Sequence, residues 1–577
     1  MNRFLFLLLL ICCSSGLPAQ APDSVALMAA HYEVLIDEFL PDASPPVGLP
    51  AYSFIELRNV SGRAFNLHNW KISTGGSTAT IKKDLLLGPD SLLILCSTTA
   101  EAAYRAFGNA FGVTSFPSLN HDAGEIILEN ADSSVVHAIQ YDKSWYHNEL
   151  KSAGGWSLEM IDPHDPCSGS SNWTTSVAAA GGTPGTSNSV AAANPDDEAP
   201  ELIRCLAPDS LHLLLMFSEP VDSLTAMDLS NYRLQPEGIH ITGAVPVVPF
   251  YDQVMLELDQ PLPPEQVYEV TVNGVTDCSG QLIGLHNSCL AGLPRPAAPG
   301  DIIFNEILFN PAPYGSDYIE IYNRSRKVVD LQHIFLASRD GAGNVKDPKA
   351  LQTGSYLFFP GEYMVATEDT GWVSRNYLVI HPEKLFYCSS LPSMPDDNGK
   401  VLLLDNTGQL LDELDYDHHW HSPLLADEEG VALERMRPDG PTNQADNWTS
   451  AAADAGYGTP TEKNSESFPD SAGNEEILVD PKIFSPDNDG YNDFCFVKYH
   501  LAQPGFIAIA VVYDIAGRQV RTLANNETLS TDGQFRWDGL DDRSNQLSTG
   551  HYVICITLYN LAGRVKSFKR VAVLARK

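Results

Sequence analysis

The reading of this chain turns on Ile303-Phe304-Asn305-Glu306-Ile307-Leu308 followed by Tyr318-Ile319-Glu320-Ile321-Tyr322-Asn323. The same phrase occurs earlier, as Ile36-Asp37-Glu38-Phe39 followed by Phe54-Ile55-Glu56-Leu57-Arg58-Asn59-Val60-Ser61. From Phe54 to Trp70 the two copies align without a gap at an offset of 264, Phe54 standing with Tyr318. Phe54 to Arg58 alternates apolar and polar residues, the pattern of a half-buried strand, with Glu56 on the polar phase. A repeat of this length is a whole domain rather than one turn of a solenoid.

The copies continue to correspond further on. Gly124 matches Gly399, Tyr141-Asp142 matches Tyr416-Asp417, Leu158-Glu159 matches Leu433-Glu434 and Asn172-Trp173-Thr174 matches Asn447-Trp448-Thr449, now at an offset of 275. Both close on Gly-Thr-Pro, at 182–184 and 458–460. The change of offset places insertions in the intervening loops. In the first copy, strands are expected at Val34–Phe39, Phe54–Arg58, Leu67–Ile72 (with Trp70 as core aromatic) and Leu92–Cys96. Pro41 to Pro50 reads as a loop, Asn59 to Arg63 as a turn, and Ile126–Glu129 with Val135–Tyr141 as a hairpin. Thr98 to Phe107 reads as a helix, with Thr98 and Glu101 as a capping box and Gly108 at its end.

The chain has 577 residues, enough for about three to five domains. Forty-two Gly and 39 Pro, without long amphipathic runs, point to a turn-rich all-β protein. A net charge of −37 argues against a nucleic-acid backbone as partner, which needs clustered Lys and Arg. Arg3, the apolar run Phe4 to Cys13 and Ala19-Gln20-Ala21 read as a signal peptide over 1–21. No later segment reaches the ~18 apolar residues of a membrane-spanning helix. Eight cysteines follow the leader with no CxxC pair, so zinc is not expected. Cys278 with Cys289 or with Cys205, and Cys495 with Cys555, are candidate disulfides, and Cys96 a buried thiol. Residues 462–474 are rich in Ser, Asn and Glu and read as a linker.

The pattern Ile303 to Leu308 with Asn310-Pro311, Tyr318 to Asn323, Val329-Asp330-Leu331 and the Asn-Trp-Thr and Gly-Thr-Pro endings resembles the lamin-tail domain of bacterial secreted proteins. The second copy matches it better. The first has Asp37 where Asn is expected and Arg58 where an aromatic is usual. The region 197–297, with Phe217-Ser218-Glu219-Pro220-Val221-Asp222 and Val275-Thr276-Asp277-Cys278-Ser279-Gly280, resembles bacterial Ig-like domains of surface and adhesion proteins. Residues 475–577 carry Phe484 to Asp493, Val512 to Leu523, Phe535-Arg536-Trp537-Asp538-Gly539 and Gly550-His551-Tyr552. They resemble the FlgD-like Ig domain that ends exported Bacteroidetes proteins and serves as a type IX secretion sorting signal. These resemblances imply an all-β chain of four tandem immunoglobulin-like β-sandwiches after the signal peptide. The order is lamin-tail domain at 31–190, Ig-like domain at 197–297, lamin-tail domain at 299–466 and sorting domain at 475–577.

Asp487, Asp489, Asn492 and Asp493 crowd oxygen atoms around Gly490, as a Ca²⁺ loop would, although no bidentate Glu follows; the competing reading is an Asx turn entering a strand. His418, His419 and His421 read as solvated loop histidines, since no metal-ligand spacing is met. Glu38, Glu56, Glu306 and Glu320 suggest paired catalytic carboxylates. Recurrence at one strand position favours a structural role instead, bonding loop amides or an Arg. HExxH, GxSxG, Walker and GxGxxG motifs are absent from the sequence. The expectation is a secreted or cell-surface, non-catalytic adhesion or scaffold protein. Its partners would be an unidentified protein or glycan and the type IX machinery, and its only candidate cofactor Ca²⁺. The alternatives are a secreted hydrolase or nuclease with an inter-domain site and a carbohydrate-binding accessory protein.

Overall fold

Every residue of the strand Val34–Leu40 is buried, and in Phe54–Asn59 only Arg58 is even partly exposed. Strands covered on both faces are not the half-buried strands that the alternation predicts. The polar phase, which carries Glu56, faces a second layer of protein rather than water. The computed structural model describes residues 28–340, 342–423, 425, 427–467 and 476–576. The signal peptide expected at 1–21 lies outside the described residues, as does most of the expected linker. Its first part, 462–467, belongs to the second copy: Asn464, Ser465, Glu466 and Ser467 are buried there.

The protein is all-β, built of tandem immunoglobulin-like sandwiches. In the first copy a six-stranded sheet runs Trp173–Thr175, Leu158–Met160, Val34–Leu40, Phe54–Asn59, Leu92–Ser97 and Ala110–Val113. A four-stranded sheet runs Val135–Asp142, Ala123–Glu129, Lys71–Thr74 and Ser77–Thr80. The second copy repeats both orders. Its six strands are Trp448–Ser450, Leu433–Arg435, Ile302–Leu308, Tyr318–Asn323, Tyr363–Thr367 and Leu385–Tyr387, and its four are Leu410–Asp417, Asn398–Asp405, Ile334–Arg339 and Val345–Ala350. Between the sheets lie Phe39, Phe65, Trp70, Ile126 and Trp173 in the first copy, and Phe304, Ile334, Phe358, Leu403 and Trp448 in the second.

Both copies carry a bulge at the same point of the first strand, between Ile36 and Glu38 and between Phe304 and Glu306. A bulge frees backbone groups from the ladder, and a buried N–H must find a partner. The Ile36 N–H donates to His137 Nδ1 at 2.8 Å, and the equivalent Phe304 N–H to Asp412 Oδ2 at 3.0 Å. The turn after the second strand is also shared. The Asn59 side-chain amide donates to Arg63 O and Gly88 O, and that of Asn323 to Lys327 O and Phe358 O.

Two expected elements differ. Leu67–Trp70 is a turn closed by Trp70 N–H on Leu67 O at 3.0 Å, and the strand starts at Lys71. The helix is one turn, Glu101–Tyr104, with Ala100 at its N-cap and no side-chain cap. Glu101 pairs with Arg105 at 2.5 Å instead of reaching back to Thr98, so the capping box does not form.

The chain divides into two compact units. One holds the residues up to Pro261 together with Glu269–Cys289, and the other Leu262–Tyr268 with Leu290 onward. In the first, Leu202–Asp209, His212–Phe217, Gln253–Leu258 and Ile241–Pro246 form a sheet in the order 202, 212, 253, 241. Tyr232–Gln235 pairs antiparallel with the strand carrying Glu269 to Val272. In the second unit, a three-stranded sheet (Glu476–Asp480, Cys495–His500, Asp532–Trp537) and a five-stranded sheet centred on Gly550–Asn560 enclose Phe484, Val497, Phe506, Trp537 and Ile554.

Among the described residues the disulfide is Cys167–Cys278, a pairing that differs from each one expected. Cys205, Cys289, Cys495 and Cys555 are free thiols. Tyr552, Ile554 and Ile556 turn into the core, so the alternation sends Cys555 to the outer face, away from buried Cys495. Cys205 lies against Cys289, and a hydrogen bond between them with burial holds its thiol well above the ordinary range. Cys96 is a buried thiol, as expected. Cys167 and Cys278 are 111 residues apart, a closure that constrains the unfolded chain by roughly 4–5 kcal/mol in the loop-entropy account. Cys278→Ser should therefore lower the stability of the first unit by about 2–5 kcal/mol in urea unfolding. It should then unfold as the reduced wild type does.

Candidate functional site

The bulged first strand sets Glu38 opposite Glu56 on one side and Glu159 on the other. Glu306 stands likewise between Glu320 and Glu434. Cross-strand neighbours at these registers lie side by side, so each copy holds three carboxyl groups in a row on one sheet face. All six are fully buried.

What covers each row is the end of the same copy. In the first, the Thr183 N–H donates to Glu38 Oε1 at 2.8 Å, the Thr183 hydroxyl to Glu159 at 2.8 Å and the Gly185 N–H to Glu56 at 2.5 Å. Ser189 Oγ and the Val190 N–H complete Glu159. In the second, Thr459 donates its N–H to Glu306 and its hydroxyl to Glu306 and Glu434. The Thr461 N–H donates to Glu320 at 2.7 Å, and Ser465 Oγ and the Glu466 N–H to Glu434 at 2.9 Å. Asn188 pins the strap by donating to Asp37 O and Met160 O, and Asn464 by donating to Asn305 O and Arg435 O. The glycine of Gly-Thr-Pro permits the close approach: a Cβ on Gly182 would stand 2.7 Å from Glu38 Oε1, and one on Gly458 2.7 Å from the Tyr318 hydroxyl.

Burial, then neighbouring Glu159, pushes the Glu38 carboxyl up to about 8; burial, then Glu38, pushes Glu56 up to about 9. Glu306, Glu320 and Glu434 are all raised, first by burial. Tyr318 donates its hydroxyl to Glu306. Chemically the rows are acceptors for a backbone strap, closed to solvent. The structural role expected for Glu38, Glu56, Glu306 and Glu320 is what the geometry shows. Glu159 and Glu434 were missed as members of the rows, although the shared Leu-Glu pair marks them.

Among the expected metal ligands, Asp487, Asp489 and Asp493 each bring one oxygen within 4.8 Å of the others, and the Asn492 carbonyl accepts from the Ser485 N–H at 2.8 Å. Asp493 accepts from the Asn488 N–H at 2.6 Å and the Gly490 N–H at 2.9 Å, and Asp489 from the Tyr491 N–H at 2.9 Å. The Asp489 bond is an Asx turn, and the Asp493 carboxylate closes the loop from its far end, with Asn488, Gly490 and Asn492 in the left-handed region. Of the histidines, His419 is exposed and bonds Asp417 at 2.6 Å, and His418 bonds Glu428 at 3.2 Å. His421 is no solvated loop residue: it is buried, its Nδ1 meets Ser450 Oγ at 2.9 Å, and burial lowers its pKa to about 4.

Residues 295–418 match the lamin tail domain family. The matched stretch includes Glu306 and Glu320 and stops short of Glu434 and the strap. No curated protein matches the chain. Among solved structures, the N-terminal part of the bacterial S-layer protein SbsC is 16% identical, with 29% of this chain and 40% of that one covered, at a TM-score of 0.16. Domains 1–6 of SbsC are 13% identical over 66% of this chain and 55% of that chain, at 0.16. The FN1–FN3 domains of chicken CNTN1 are 12% identical over 66% and 99%, at 0.13. The chain thus spans about half the length of the SbsC structures it matches, and at these TM-scores the likenesses carry no argument.

The raised carboxyls give the first copy a pH signature. Glu38 and Glu56 titrate near 4.5 when unfolded and at about 8 and 9 when folded. Over that range the folded chain binds more protons, so stability is fully present below ~4.5 and falls as pH rises to ~9. Glu56→Gln, which keeps an acceptor for the Gly185 N–H, should flatten the melting temperature between pH 5 and 9. An unchanged slope would count against a protonated row.

Proposed function

We propose that the chain is an exported, non-catalytic surface or scaffold protein. In this reading residues 1–21 are a signal peptide, 31–190 and 299–466 are lamin-tail domains, 197–297 is an Ig-like domain and 475–577 is a FlgD-like sorting domain for type IX-like secretion. The observation that carries it is the strap: the one recurring carboxylate constellation is occupied, in both copies, by the chain's own Thr, Gly and Ser donors. A row sealed in this way holds a domain shut and offers no room for a substrate. Among the described residues no helix is long and apolar enough to cross a membrane. Exposed aromatics such as Tyr314 and Tyr491 in loops and Tyr387 at the end of an edge strand are the natural contacts for a protein or glycan partner.

The last sandwich is also tied to the strap of the second lamin-tail domain. Glu466 accepts from the Gly505 N–H at 3.0 Å, the Thr531 N–H donates to Ser465 O at 2.8 Å, and Asp454 accepts from Tyr499 and Ser530. Deleting residues 475–577 should leave the remainder in the periplasm by surface proteolysis and fractionation; undiminished surface display would overturn the sorting reading. The acidic loop at Asp487, Asp489, Asn492 and Asp493 is proposed as a weak Ca²⁺ site of this sandwich. Calcium should raise the melting temperature of its transition, and Asp489→Ala should abolish that rise. No shift in the wild type would dismiss the site.

A further inference from the structure

Four carboxylates surround the Cys167–Cys278 disulfide in the first unit. Asp165 comes from the lamin-tail domain, Asp196 from the segment that joins it to the Ig-like domain, and Glu219 and Asp277 from the Ig-like domain. Asp196, Glu219 and Asp277 each bring one oxygen within 4.8 Å of the other two. That is the spread of ligands around one ion with metal–oxygen distances of about 2.4 Å. Asp196 and Glu219 line a pocket of about 630 Å³ with Ser168, Ser171, Glu198 and Gly284.

A cluster of acids alone means little, but two further features stand out. Asp277 is 1% exposed, yet its Oδ2 has no hydrogen-bond partner; only Oδ1 is used, by Ser279 Oγ and the Gln281 N–H at 2.9 Å each. Asp165 is 4% exposed and its Oδ1 is likewise without a partner. Buried carboxylate oxygens are rarely left bare, and each one costs free energy. No Lys or Arg is ion-paired to any of the four among the described residues. Glu219 is pushed up to about 8 by burial and then by Asp196, Asp277, Asp165 and Glu198, all of one sign. The disulfide holds these like charges together, and Gln281 locks both sides by donating its side-chain amide to Asp196 O at 2.6 Å.

We propose that Asp196, Glu219 and Asp277, with Asp165 behind them, bind a divalent cation, and that the cation is Ca²⁺. All the donors are hard carboxylate oxygens with no imidazole, and both cysteine sulfurs are used in the disulfide, which disfavours zinc and copper. The open pocket leaves room for waters to complete a shell of about six to eight oxygens. Binding neutralises the repulsion and fastens the lamin-tail loop to the Ig-like sheet beside the covalent tie.

The test is calorimetric titration of the full mature protein with CaCl₂, after EGTA treatment, with MgCl₂ as control. Wild type should bind Ca²⁺ in preference to Mg²⁺, with a Kd on the order of 10⁻⁴–10⁻³ M, the range of extracellular modules. Glu219→Gln and Glu219→Gln/Asp277→Asn should each remove one equivalent, whereas Asp489→Ala, in the other acidic loop, should leave that equivalent in place. In EGTA the double variant should melt no lower than wild type, because like charges have been removed, and this separates loss of the site from loss of the fold. Unchanged stoichiometry in Glu219→Gln, no Ca²⁺ binding in wild type, or binding that Asp489→Ala removes entirely would overturn the proposal.

Discussion

Three glutamates in a row, on three neighbouring strands, hold down the last residues of their own domain. This contact shapes the rest of each copy. A carboxyl group at a sheet position covered on both faces must be hydrogen-bonded. The strap meets that demand with donors at fixed spacing: an N–H and hydroxyl from one Thr, an N–H two residues later, and a Ser hydroxyl with the following N–H. The glycine that lets the strap approach, the proline behind the threonine and the asparagine that pins its far end all follow from this one requirement.

The two copies solve the same problem with different residues, and the substitutions come in sets. At the bulge the second copy has Asn305, bonded to Glu320 at 2.7 Å, whereas the first has Asp37, whose two oxygens have no hydrogen-bond partner. The Arg58 guanidinium, 3.9 Å away, stands where the second copy has Tyr322 and partly offsets the burial that pushes Asp37 up to about 6. Across the sheet, the buried Arg435 with Asp412 is replaced by Met160 with His137. The same bulge N–H is satisfied in either case, by a carboxylate or by a neutral imidazole whose pKa burial lowers to about 3. A buried ion pair exchanged for a neutral set of similar size is an outcome that desolvation readily tolerates.

The repeat was legible because its signal is local: Phe-Ile-Glu-Leu and Tyr-Ile-Glu-Ile, Asn-Trp-Thr and Gly-Thr-Pro are short phrases in fixed order. So was the structural role of Glu38, Glu56, Glu306 and Glu320, since recurrence without a partner motif argued against catalysis. What was not legible depends on distance. The half-buried pattern of Phe54–Arg58 concealed a second covering layer, because that layer comes from residues over 120 positions away, as the Gly185–Glu56 bond shows. Asp165, Asp196, Glu219 and Asp277 have no spacing rule to betray them, and Cys167 joins Cys278 across 111 residues. The helix expected at 98–107 shrinks to the turn Glu101–Tyr104 for the opposite reason: its local capping signal was real in composition, but Glu101 met Arg105 first.

The strap also determines when a copy is finished. Its first strand lies in the middle of the six-stranded sheet, and the residues that seal that strand are the last of the copy to leave the ribosome or cross a membrane. Until they arrive, the row of acids stands open and the sheet lacks its final covering. A chain threaded from its N-terminus therefore keeps each copy incomplete through most of its passage and closes it in one late step. Any chain cut short within a copy is left with a defect at its centre rather than at its edge, where proteases can find it.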